Sequence, residues 1–267
     1  MCTAPTRPQP EAAPDGPNED HFAVGDGWAL VLDGAGRYPN ESGGCIHPVT
    51  WVVARLGAHL SRHLAERPEQ PLTAIARSAI EATMADHGPA CDLSHPLSPG
   101  ATAAIIRLRD DQVEWLVVGD CAVVIDQGQG EPTSIIDDRV DRLPGAPVVE
   151  GRVRTYSPAY VATIRNRPGG FWVLGAAPAA AEHALTGALP QRSVTQILRC
   201  TDGVSRLTER YGWGWSAVFA LCEEGGPEAL IRAVRSAERD DPNPRRWRGK
   251  RHDDATVVVL RMDQVYA

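Results

Sequence analysis

Trp28-Ala29-Leu30-Val31-Leu32-Asp33-Gly34 is a short apolar run that ends in an acid followed by glycine. A run of this length closed by a turn signal reads as a buried strand, with Asp33 at its tip where a sheet meets solvent. The design recurs outward along the chain. Val118-Gly119-Asp120 and Thr201-Asp202-Gly203 leave apolar runs in the same way, Asn18-Glu19-Asp20 lies upstream of the first run, and His252-Asp253-Asp254 leads into the last one. Taken singly, each is also an ordinary turn signal. Taken together, they carry more weight, because a carboxylate on a rigid strand end sits at a sheet rim, where several can converge. Converging carboxylates repel one another unless a cation sits among them, and an all-oxygen donor set favours Mg²⁺ or Mn²⁺ over zinc.

Around these acids the periodicity supplies the remaining elements. Residues 101–108 and 113–118 read as two buried strands joined by the turn Arg109-Asp110-Asp111-Gln112. Val52, Leu56, Leu60 and Leu64, then Leu72, Ile75, Ala79 and Ile80, recur at helical spacing on either side of Pro68 and Pro71, which predicts a helical hairpin. Strands are expected at residues 152–156, 160–164, 171–174, 194–198 and 255–262, and helices at 217–223 and 227–239. Strands grouped in the middle and helices in two pairs suit an α+β sandwich of two sheets flanked by helices better than a parallel βαβ sheet. Residues 1–17, rich in Pro, Ala and Gly, read as a flexible lead-in outside a single domain spanning 18–267.

The 267 residues carry 43% hydrophobic and 23% charged side chains, enough to bury a substantial core. A net charge of -7 argues against general nucleic-acid binding, which needs Lys and Arg to neutralise phosphates. No apolar stretch reaches bilayer length and no signal sequence opens the chain, so the expectation is a cytoplasmic protein with no membrane partner. The six cysteines are scattered with no C-x-x-C pair, which predicts reduced thiols and no zinc knuckle. His59 and His63 stand four apart on a helix without a third ligand and read as a solvated face.

The landmarks stand in the order found in one family. Asn18-Glu19-Asp20, Leu32-Asp33-Gly34-Ala35-Gly36, Gly100-Ala101-Thr102-Ala103 with Val118-Gly119-Asp120, Cys200-Thr201-Asp202-Gly203-Val204 and Asp253-Asp254-Ala255-Thr256 together resemble the metal-dependent Ser/Thr protein phosphatases of the phosphatase 2C type, over residues 18–262. The resemblance implies a four-layer α/β/β/α sandwich with two Mg²⁺ or Mn²⁺ ions and a possible third at one edge. It implies that Asp33 bridges the metals, that Gly34 adds its carbonyl, that Asp20, Asp202 and Asp253 complete the pair, that Asp120 serves the third ion beside Asp202, and that Glu19 and Asp254 stand just behind. Asp33 and Asp202 would be central to catalysis by metal-activated water.

The chain also departs from that family. Ala13-Pro14-Asp15-Gly16-Pro17 carries none of the phosphate-holding arginine expected before the first acidic motif, Arg7 being the nearest upstream, and Cys121-Ala122 replaces a Ser-Arg pair. The basic run from Arg245 to His252 offers Arg246, Arg248 and Arg251 as replacements, and the loop after Gly36 offers Arg37 and His47. The expected partner is a phosphorylated protein; a small phosphorylated metabolite, or a retired site used as a sensor, is the alternative. A monomer is expected.

Overall fold

The structure, a computed structural model, describes residues 2–6, 17–36, 43–143, 148–149 and 155–262. Its strands and helices follow in the order β1 (Cys2–Thr6), β2 (His21–Gly25), β3 (Trp28–Ala35), α1 (Val49–Glu66), α2 (Leu72–Ala85), β4 (Gly100–Arg109), β5 (Gln112–Val118), β6 (Ala122–Asp126), β7 (Thr133–Ile136), β8 (Val148–Val149), β9 (Thr155–Tyr156), α3 (Pro158–Ile164), β10 (Leu185–Pro190), β11 (Gln196–Cys200), α4 (Asp202–Glu209), α5 (Trp215–Gly225), α6 (Pro227–Asp240) and β12 (Ala255–Arg261). One antiparallel sheet runs β10-β5-β4-β3-β2 and the other β1-β12-β11-β6-β7, while β8 and β9 form a small ribbon.

Three apolar layers bind this into an α/β/β/α sandwich. Leu56, Leu60 and Leu64 of α1 and Ile75 and Ile80 of α2 pack on Leu30, Leu32, Ile105 and Leu116 of the first sheet. Val31, Ala104, Val117, Val123, Ile197 and Val258 fill the space between sheets. Val204, Val218, Phe219, Leu230 and Val234 from α4, α5 and α6 cover Val124, Leu198 and Val257 of the second sheet. Alternate residues of one strand thus serve two layers, as the two-residue period of a strand requires.

Several expectations need correction. Residues 2–6 are not outside the fold: β1 pairs antiparallel with β12, Cys2 opposite Val259. The segment read as a strand at 160–164 is a helix, because Ser157 accepts a hydrogen bond from the Tyr160 amide and Pro158 starts the turn. Residues 171–174 make only isolated bridges, Arg165 with Phe171 and Ala101 with Leu174. Of the strand expected at 152–156, only Thr155 and Tyr156 fall in β9, and residues 152–154 lie outside the described residues. His63 is buried rather than solvated, while His59 bonds Asp86 at 2.8 Å. Arg199 is also buried, in the layer between sheets, with one bond from Nη2 to the Val258 carbonyl at 3.1 Å. Its Nε and Nη1 have no partner among the described residues, and burial lowers its pKa to about 9.

Candidate active site at the sandwich edge

Antiparallel register brings the acidic motifs to one edge. His21 pairs with Leu32, so Asp20 just before β2 lies level with Asp33 near the end of β3, and Asp33 itself pairs with Thr102 at the start of β4. In the other sheet Cys200 at the end of β11 faces Ala122 at the start of β6 and Val257 near the start of β12. Asp120, Asp202 and Asp253 are therefore carried to the same end of the sandwich by the turns and helix that follow or precede these strands. Gly203 makes the closest approach possible: a Cβ there would collide with the Asp254 carbonyl, so only glycine lets the first turn of α4 lie on the chain leading to β12.

A hydrogen-bond network holds the edge. The Thr201 hydroxyl donates to Asp20 Oδ2 at 2.8 Å and accepts from the Thr256 amide at 3.0 Å. The Glu19 amide donates to Asp254 Oδ2 at 2.8 Å, and Glu19 and Asp254 are both buried. Arg206, fully buried on α4, pairs with Glu238 of α6 at 2.8 Å, with Asp253 at 3.1 Å and with Asp202 at 3.5 Å. Arg235 and His252 each reach the second oxygen of Glu238 at 2.8 Å, and Lys250 pairs with Asp253 at 3.2 Å. Arg206 and Glu238 escaped the sequence reading; the spacing of four between Asp202 and Arg206 on one helix was the available signal.

The carboxylates act on one another. Burial, then Asp20, Asp202, Asp120 and Asp253, push Asp33 well above the ordinary carboxylate range. Burial and the nearby Asp254 and Asp253 also raise Asp20, against the opposing bonds from Thr256 and Thr201. Asp120 is pushed up to about 7 by burial and by Asp202. Asp202 is raised by burial and by Asp253. Asp253 goes the other way: burial opposes its charge, but Arg206 and Lys250 outweigh burial and hold it low. Asp20 Oδ1 is buried with no hydrogen-bond partner among the described residues. An orphaned carboxylate oxygen among mutually repelling acids, with oxygen donors throughout, fits a hard divalent cation.

Asp33, Gly34 and Asp120 line a cavity of about 170 Å³ together with Tyr156, Phe171 and Arg248. Arg248 pairs with Asp141 at 2.6 Å and lies over the Tyr156 ring at 4.9 Å. The other basic candidates are elsewhere. Arg246 pairs with Asp241 at 3.1 Å and stacks on Trp247. Arg251 donates to the carbonyls of Glu238 and Arg239 at 3.1 and 2.9 Å, which satisfies the last turn of α6 rather than a ligand. His47 sits beside Cys45 and Cys91 and is not among the cavity lining, while Arg37 and Arg7 lie outside the described residues. Cys121 and Cys200 are buried, and burial raises both thiols well above their ordinary pKa, the opposite of what a nucleophilic cysteine needs.

No helix among the described residues is long and apolar enough to cross a membrane. No curated protein sequence matches the chain. Among solved structures, the Mycobacterium tuberculosis serine/threonine phosphatase PstP/Ppp is 19% identical with a TM-score of 0.60, covering 98% of this chain and 97% of that one. The catalytic domain of serine threonine protein phosphatase PstP in complex with two manganese ions is 18% identical at 0.55, covering 96% and 95%. A C. elegans sex determining protein is 15% identical at 0.57; the match covers 97% of this chain and 63% of that protein. At these identities the likeness is one of fold. The family profile of protein phosphatase 2C matches residues 12–233, most of the sequence and all but the last of the acidic motifs, so the chain belongs to the protein phosphatase 2C family.

Proposed function

We propose that this chain is a metal-dependent Ser/Thr phosphoprotein phosphatase. The observation that carries the reading is a cavity lined by Asp33, Asp120 and Arg248, which sets acids and a guanidinium around one space with room for a phosphate. Asp20, Asp33, the Gly34 carbonyl, Asp202 and Asp253 would hold two Mg²⁺ or Mn²⁺ ions, and Asp120 with Asp202 a third. When bound, such ions lower the pKa of a water and neutralise phosphoryl oxygens during in-line attack. The manganese pair in the PstP structure supports this assignment.

The chain's own groups would do the remaining work. Thr201 fixes the orientation of Asp20, while Arg206 and Lys250 fix Asp253 and keep it ionised. Glu19 and Asp254 brace the edge from behind through their mutual bond. Arg248 would take the substrate phosphate. Its present partner, Asp141, is 57% exposed, so a phosphate can replace that carboxylate at little cost in desolvation.

Hydrolysis of an aryl phosphate tests the reading. Turnover should require Mn²⁺ or Mg²⁺, stop on chelation, and vanish in Asp33→Asn and Asp202→Asn. Turnover that survives chelation sinks the metal mechanism, and no turnover with any metal points to a sensor. Preference for phosphopeptides over phosphorylated metabolites should follow, and the reverse preference would reassign the substrate.

A further inference from the structure

A second metal-competent cluster lies outside the acidic edge. We propose that Cys45, His47 and Cys91 form a zinc site with three protein ligands and a fourth position left to water. Among the described residues these three are the one group of His, Cys, Asp or Glu side chains whose ligand atoms all lie within 4.8 Å of one another. The two sulfurs are 3.4 Å apart, and His47 Nδ1 is 3.4 Å from Cys91 Sγ and 3.6 Å from Cys45 Sγ. Tetrahedral zinc, with Zn–S near 2.3 Å and Zn–N near 2.0 Å, needs ligand–ligand edges of roughly 3.5–3.8 Å. The triangle is therefore within a few tenths of an ångström of a zinc face before any ion enters.

The surroundings aim the ligands. Gly43 and Gly44 adopt left-handed backbone, and a side chain on Gly44 would collide with His95, so a tight glycine turn delivers Cys45. The Asp92 amide donates to the Gly44 carbonyl at 2.6 Å, which ties this loop to the one carrying Cys91. The His47 amide donates to Cys45 Sγ at 3.4 Å, the kind of bond that steadies a thiolate. Trp51 stacks on the His47 imidazole at 3.8 Å and 15°, setting its plane. Two thiols and one imidazole are a soft donor set that selects zinc over Mg²⁺ or Mn²⁺, and binding would release the thiol protons. The ion would clamp the loop before α1 to the loop after α2.

The site stands independently of the phosphatase reading, and one experiment separates them. Full-length protein, stripped by chelator under reducing conditions, is titrated with Zn²⁺ and separately with Co²⁺. One zinc per chain should bind and resist displacement by Mn²⁺, and Co²⁺ should give a thiolate charge-transfer band. Cys45→Ser and Cys91→Ser should lose both signals, whereas Asp33→Asn should keep both. Should those variants fail to fold, the wild type still decides: zinc should block alkylation of Cys45 and Cys91, read by mass spectrometry, and raise the melting temperature. Wild-type protein that binds no zinc under reduction, or that binds it with both thiols still alkylated, overturns the proposal. So does a Cys45–Cys91 disulfide that re-forms in the presence of zinc.

Discussion

The acidic edge and the Cys45–His47–Cys91 triangle gather ligand-type side chains in opposite ways. At the edge, five aspartates come from strand ends and a helix start spread across both sheets, and they meet only when the whole sandwich closes. In the triangle, two loops bonded to each other bring three soft donors within 3.6 Å before any ion arrives. Among the described residues no three of the acids bring their oxygens within 4.8 Å of one another, while the two thiols and the imidazole lie in contact. Charge thus decides spacing. An all-carboxylate site stays open until a cation supplies the attraction, and a thiol–imidazole site can be preformed.

Breaking the edge from behind should have the largest effect. Arg206→Ala leaves Oε1 of the buried Glu238 without its guanidinium, Arg235 and His252 both engaging the other oxygen, and the expected destabilisation is about 3–5 kcal/mol by denaturant unfolding. Zinc binding to the triangle should persist as long as the variant folds. Next, Asp33→Asn should lower Mn²⁺-dependent turnover by at least about a hundredfold, the upper end of what outer-shell substitutions cost, with little loss of stability without metal. Removing one of several repelling charges relieves the fold, so a large fall in stability would break the contrast.

Arg248→Ala should raise KM for a phosphorylated substrate by about tenfold with kcat less affected, as expected for one charge-assisted contact. Arg246→Ala and Arg251→Ala should leave KM within about twofold, because their guanidinium groups are held elsewhere. The smallest effect is in pH. Asp120 is pushed up to about 7 from an ordinary 3.8, and Asp20, Asp33 and Asp202 are raised as well. Between those pH values the folded chain keeps protons that the unfolded chain has lost, so metal-free protein loses stability as pH rises from about 4 to about 7. The melting temperature should fall by at least about 2–4 °C, the shift that 1 kcal/mol gives at this size. Saturating Mn²⁺ should stabilise more at pH 7 than at pH 5.

Most of the edge was legible because each acid adjoins an apolar run, and a strand announces its own end. Asp20, Asp33, Asp120, Asp202 and Asp253 needed no knowledge of tertiary packing to be singled out. The basic run was legible only as a charge run. Which of its arginines faces the cavity depends on the turn at Pro244 and on the carbonyls at the end of α6, and local sequence encodes neither. The helix at Pro158–Ile164 was misread because Tyr160 and Val161 favour strands, while the deciding Ser157 and Pro158 lie just upstream. The Cys–His triangle was missed because its halves lie 46 residues apart, and only the Cys45-Ile46-His47 spacing hinted at it. Arg199 gave no sign of burial, since a charged residue in a strand ordinarily marks the solvent face.

Thr201 sits between the two sheets' contributions to the edge, its one hydroxyl engaged on both sides by Asp20 and by the Thr256 amide. Because that proton is committed to Asp20 Oδ2, the buried Oδ1 is the oxygen left without a partner among the described residues. A side chain that touches no ion would thereby determine which lone pair is offered to one. Swapping it for valine, of nearly equal bulk, would leave Thr256 as the remaining hydroxyl on Asp20 and should cost affinity while removing no acid.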